Sequence, residues 1–173
     1  MAFNPFRKKY SEEELELFEF LKGIRVFENL SYKQISLFTP YLYLREYNQD
    51  EVIFFRNDPS NALYIIKKGE VSLNIDIDDG FEVLTHARSG VAFGDNVFLN
   101  DSKRIYNAIV NSEKAMIYVV PKINIFEIFE SHPGIKAKVM ASLAEQYNEY
   151  TKRLFKAYKS ASGFFNLSQA YDE

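Results

Sequence analysis

Residues 62–88 read ALYIIKKGEVSLNIDIDDGFEVLTHAR, and their apolar side chains recur at every second position. In the middle of this stretch Val71, Leu73, Ile75 and Ile77 alternate with Ser72, Asn74 and Asp76. That is the period of a half-buried strand, and it predicts the first set facing inward and the second facing out. Gly69 and the run Asp78-Asp79-Gly80 break the pattern where turns are needed, so the stretch reads as consecutive antiparallel strands. Working outward, YLYLREY (41–47) and EVIFF (51–55) precede it, while YNAIV (106–110) and AMIYVV (115–120) follow it. Seven or eight short strands at this spacing predict a small antiparallel barrel or jelly roll.

The helical period brackets the strands. Ser11 with Glu14 forms a capping box ahead of Leu15, Phe18 and Leu21, and Gly23 ends or bends that helix. Ser31 with Gln34 opens a second, short helix carrying Ile35, Leu37 and Phe38, which Thr39-Pro40 stops. After the strands, Ile125 to Glu130 form a short helix, and Pro133 opens a long one reaching residue 158. The expected organisation is a tail and helix start over 1–14, one domain over 15–158, and a C-terminal tail over 159–173.

Bulk properties exclude several classes. A chain of 173 residues with 47% apolar side chains, twelve tyrosines and sixteen phenylalanines suits one well-packed domain. With no cysteine, disulfides and thiolate chemistry are excluded. A net charge of −3, with Arg7, Lys8 and Lys9 as the one basic cluster, argues against direct nucleic-acid binding. No signal-peptide layout and no run of ~20 apolar residues is present, so the expectation is a cytoplasmic protein without a membrane partner. The two histidines, His86 and His132, lie far apart and read as surface or capping residues, with no metal site expected. No serine, threonine or lysine has an activating neighbourhood, so no enzyme activity is expected.

Four landmarks in order carry a resemblance: LKGIRVFENLSYKQI (21–35), FFRNDPSNALYIIKKGEVSL (54–73), FGDNVFLNDSKR (93–104) and FEIFESHPGIKAKVMASLAEQ (126–146). Over residues 15–155 the chain resembles the cyclic-nucleotide-binding domain superfamily of catabolite activators, kinase regulatory subunits and gated channels. The resemblance implies an eight-stranded antiparallel β-roll with N-terminal helices, a short helix in a phosphate-binding cassette, and a long C-terminal helix. It implies a non-catalytic sensor with no required cofactor, whose ligand is cAMP, cGMP or a related small anion. On the family's plan Gly94 and Asp95 hold the ribose 2′-hydroxyl and Arg104 pairs with the cyclic phosphate, with Asn96, Ile105 and Tyr106 beside them.

The cassette departs from the plan in chosen places. Asp95 stands for the usual glutamate, Asn96 for an apolar residue and Lys103 for a proline, while Ile105 and Tyr106 replace small residues. Strand alternation puts Tyr106 on the face of Arg104 and Ile105 on the other. There the phenol would fill part of the nucleotide space, stack on a base, or donate to a phosphate. On the long helix, Met140, Leu143, Tyr147, Tyr150 and Leu154 follow a spacing of threes and fours, which predicts a homodimer seam or packing on the domain itself. The alternative to a sensor is a ligand-free dimerisation or protein-interaction module that uses this helix and the aromatic ends MAFNPF and GFFNLSQAY.

Overall fold

The computed structural model describes residues 10–77 and 80–162. The basic cluster at 7–9, both aromatic ends and the turn residues Asp78 and Asp79 lie outside the described residues. Helix α1 (Glu12–Lys22) starts at the Ser11 capping box, with Glu12, Glu13 and Glu14 placed against the positive end of the helix dipole. Helix α2 (Tyr32–Ile35) starts at the second capping box, where Ser31 and Gln34 exchange hydrogen bonds. It is shorter than expected: it ends before Leu37 and Phe38, and Pro40 sits inside a further 3₁₀ turn, Thr39–Tyr41.

Eight strands follow: β1 (Tyr43–Asn48), β2 (Val52–Phe54), β3 (Ala62–Lys68), β4 (Glu70–Ile77), β5 (Gly80–Arg88), β6 (Ala92–Phe93), β7 (Asn107–Val110) and β8 (Lys114–Pro121). They form two antiparallel four-stranded sheets, ordered β1-β8-β3-β6 and β2-β7-β4-β5. Helix α3 (Lys122–Ser131) and the long α4 (Pro133–Ser162) follow, α4 running four residues past Tyr158. Gly69 makes the β3–β4 turn at φ 97°, where a side chain would also strike the Lys114 carbonyl oxygen at 2.6 Å.

Two apolar clusters divide the interior. Strand β3 serves both: Leu63 and Ile65 face the helices, and Ile66 faces the inside of the roll. The helical cluster joins Phe18, Leu21, Phe27, Phe38, Phe129 and Leu143, while the roll interior holds Phe54, Val71, Phe93, Ala108, Val110 and Ile117. Each fully buried side chain of this kind contributes roughly 1.5–3 kcal/mol.

Strand β4 corrects one expectation. Val71 and Leu73 are buried as predicted, yet Ser72 and Asn74 are buried too, and Ile77 is 45% exposed. The register shifts between Leu73 and Asn74, and β7 covers β4 only as far as the Asn74↔Asn107 pair. Beyond that point β4 pairs with β5 alone, so its last apolar residue lacks a covering layer. Ser72 and Asn74 are satisfied locally: the Ser72 hydroxyl donates to the Ile109 carbonyl, and Asn74 Nδ2 donates to Ser72.

Candidate functional site

The cassette runs from β6 through a 3₁₀ turn, Asp95–Phe98, and back to β7. Val97 and Phe98 are buried in the helical cluster and pin the turn. Its return limb is tied to the β2–β3 loop, where the Ser60 N–H donates to the Ser102 carbonyl (3.0 Å) and the Arg104 N–H to the Asp58 carbonyl (2.8 Å). Asn96 closes the loop from within: its Oδ1 accepts from the Ser60 hydroxyl (2.9 Å) and its Nδ2 donates to the Lys103 carbonyl. Asn96, expected beside the ligand, is 8% exposed and works as an internal clamp. Ile105 is 68% exposed while Arg104 is buried; both lie in the bend before β7, not in the strand that the sequence reading assumed there.

Arg104 enters the interior at 3% exposure. Its Nη1 donates to the Gly94 carbonyl (2.9 Å) and to Asn96 Oδ1 (3.2 Å), and its Nη2 donates to the Ala62 carbonyl (2.6 Å). The guanidinium lies 4.3 Å above the Phe54 ring and 5.4 Å from that of Tyr64, a cation–π setting that offsets part of the loss of water. Burial still pulls its pKa below the usual guanidinium value, opposed by Tyr64, Tyr106 and Asp95. Its Nε is buried with no hydrogen-bond partner. Glycine suits this position: Gly94 sits at φ 71°, and a Cβ would run into Arg104 Nη1.

Tyr106 lies beside Arg104, as predicted, with its ring packed at 5.8 Å from Phe54. Its hydroxyl oxygen accepts the backbone N–H of Gly94 at 2.9 Å. Burial first, then the charge of Asp95, push its pKa far above the ordinary phenol range. Gly94 therefore meets two protein groups at once, Arg104 on its carbonyl and Tyr106 on its N–H.

Asp95 turns toward α4. Its Oδ2 accepts from Gln146 Nε2 at 2.8 Å, and Gln146 also reaches the Tyr150 hydroxyl at 3.2 Å. Burial raises the Asp95 pKa above the usual carboxylate range, against the opposing effect of hydrogen bonds from its own and the Asn96 backbone N–H and from Tyr147. Asp95 and Arg104 do not form an ion pair among the described residues. A cavity of about 280 Å³ opens on the Asp95 side, between the Gly23–Val26 turn, Val91 and the α4 residues Gln146, Glu149 and Arg153. Arg104 and Tyr106 do not line it.

The residues that sequence reasoning missed are Gln146, Ser60, Phe54 and Tyr64. Gln146 left a signal: with Ser142 it is a polar residue on the stripe Ile135, Val139, Leu143, which is otherwise apolar and buried. Phe54 and Tyr64 left none, since any strand aromatic would look the same.

The predicted seam on α4 divides. Leu143 is 2% exposed inside the domain's own core, and Met140 and Tyr147 pack against that core, so the first half of the helix is occupied by its own domain. Tyr150 and Leu154 stay 49% and 67% exposed. His132 caps α3, and His86 Nδ1 lies 3.2 Å from Glu70 on the surface. Among the described residues no cluster could hold a metal ion, and no helix is long and apolar enough to cross a membrane.

Residues 44–132 match the family model described as cyclic nucleotide-binding domain. Among solved structures, the chain is similar to the regulatory domain of Toxoplasma gondii PKA crystallised with cAMP, at 19% identity and a TM-score of 0.63 over 70% of this chain and 46% of that one. It is similar to the catabolite activator protein of Thermus thermophilus, at 22% identity and a TM-score of 0.65 over 77% and 62% of the two chains. It also resembles the sensor domain of the transcriptional regulator DNR from Pseudomonas aeruginosa, at 14% identity and a TM-score of 0.66 over 82% and 95%. The chain thus spans about half the length of the Toxoplasma regulatory domain, and no curated protein matches it in sequence. The strand order, the cassette and the match over half of its length agree: this chain belongs to the cyclic nucleotide-binding domain family.

Proposed function

We propose that this chain is a non-catalytic, cytoplasmic regulatory domain that senses a cyclic nucleotide or related small anion and relays its binding through α4. The observation that carries the reading is Arg104: a guanidinium held at 3% exposure with its Nε unpartnered, at the mouth of a glycine-led turn. A buried donor left unpaired costs about 1–3 kcal/mol, and an anion reaching it would recover that loss. The relay follows from Asp95. Its carboxylate is hydrogen-bonded to Gln146 of α4 through Oδ2, so a ligand hydroxyl that takes this oxygen competes with the helix for it. The ligand's differential contacts with the latched and released states then bias the helix position. The exposed Tyr150 and Leu154 give α4 a surface on which a second copy of the chain would dimerise.

The test is thermal stability and calorimetric titration with millimolar cAMP and cGMP. A ligand that binds only the folded state must raise its melting temperature. Arg104→Ala should weaken binding tenfold to a hundredfold or more, the loss of a charged hydrogen bond worth roughly 1.5–3 kcal/mol. Equal affinity in the wild type and the variant would remove Arg104 from the site.

One observation favours a second reading, a ligand-free interaction module. The Nη atoms of Arg104 already have three internal acceptors, and the Gly94 N–H is already taken by Tyr106. An unchanged melting temperature with both nucleotides would select this reading.

A further inference from the structure

We propose that Tyr106 is the specificity-determining residue of this site, a resident stand-in whose hydroxyl occupies the place of a ligand's anionic oxygen. The inference rests on the sensor reading above and adds what controls it. Three features of the structure support it. The first backbone N–H of the cassette, that of Gly94, is a donor suited to an anion, and the Tyr106 oxygen already accepts it at 2.9 Å. The phenol is held there by aromatic packing: Phe54 contacts Tyr106, Tyr64 and Phe93 at ring-centroid distances of 5.8, 5.5 and 5.9 Å. With the phenol in place, Arg104 is turned onto the Gly94, Asn96 and Ala62 oxygens, and its Nε has no partner.

A neutral hydroxyl is a weaker partner for a backbone N–H and a guanidinium than a phosphate oxygen, because charge-assisted hydrogen bonds are about twice as strong. An anion can therefore displace the phenol, but only after driving a packed ring out of its box. The resident tyrosine sets a threshold: ligands carrying a compact phosphate clear it weakly, and neutral nucleosides do not clear it.

Titrations of the full chain with cAMP and with inorganic phosphate test this in the wild type, Tyr106→Ala and Tyr106→Phe. Tyr106→Ala opens the space and frees the Gly94 N–H, so cAMP should bind at least tenfold more tightly and phosphate should give a measurable thermal shift. Tyr106→Phe frees the Gly94 N–H but keeps the ring, so its cAMP affinity should fall between those of the wild type and Tyr106→Ala. If Tyr106→Ala binds cAMP no more tightly than the wild type while Arg104→Ala loses it, the stand-in role is overturned and the sensor reading survives. If phosphate stabilises Tyr106→Ala but cAMP binds no form, the stand-in role survives and the nucleotide reading fails. If neither ligand affects any form, both fail. Should Tyr106→Ala not fold, Tyr106→Val keeps the strand preference and carries the same expectations.

Discussion

The helical core and the roll interior are of similar make in composition but differ in what they tolerate. Between α1, α3, α4 and the outer face of β3, the cluster around Phe18, Phe27 and Phe38 holds no charge, with these side chains at 0–1% exposure and the buried Ser142 hydroxyl bonded by Asn29. Inside the roll, Phe54 and Phe93 share their space with a buried guanidinium, and Asn96, Asn107 and Asn74 lie at 1–8% exposure nearby. A dry core is built for stability. A core that accepts a charge and an orphaned donor carries a cost that packing alone does not explain, and it marks where the fold has been given over to recognition.

Matched truncations in the two cores give the largest expected effect and the sharpest test of that difference. Phe27→Ala removes a ring packed 5.1 Å from Phe38 in the dry core and should cost about 3–5 kcal/mol in chemical denaturation. Phe54→Ala should cost less, about 2 kcal/mol, because the vacated space is lined by Arg104 and can admit water that hydrates the guanidinium. Equal losses would mean that the roll interior behaves as an ordinary apolar core. Gly94→Ala comes next, at roughly 2 kcal/mol from the left-handed backbone alone, plus whatever Arg104 must give up to avoid the new methyl. A melting temperature unchanged by Gly94→Ala would show that the guanidinium is free to swing away, and the close fit described above would be wrong.

How much of this was legible in the chain differs between the same two regions. Both capping boxes, the strand spacing and the proline that opens α4 are local signals, and each was found where the residues put it. Gly94, Arg104 and Tyr106 were picked out through the family resemblance, and the structure brings them together, with Arg104 on the Gly94 carbonyl and Tyr106 on its N–H. What the sequence could not supply was direction. Asp95 and Arg104 are nine residues apart, yet one turns to α4 and the other to β3, because their partners Gln146 and Ala62 come from distant segments. The β4 misreading has a similar cause, a register shift that alternation alone cannot register. For Leu143 the two readings of the stripe stayed open, because it looks the same whether it packs on its own domain or on a partner; here it packs on its own domain.

The smallest predicted effect concerns Asp95 and has the opposite sign to the others. Burial holds its carboxyl pKa in the folded state above the unfolded value of about 3.9. Between those two values the native protein binds more protons than the unfolded chain, so stability falls as pH rises through that window and stays at the lower level above it. Asp95→Asn removes the ionisation and keeps an oxygen for the backbone N–H groups and Gln146. The variant should therefore melt above the wild type at pH 7, and the gap should close as pH drops toward the carboxylate range of the unfolded chain. A variant less stable at pH 7 would mean that hydrogen bonds to the charged form outweigh its burial. A more stable variant that also loses ligand would show that the carboxylate is kept against the interest of the fold, which the dry core beside it never has to do.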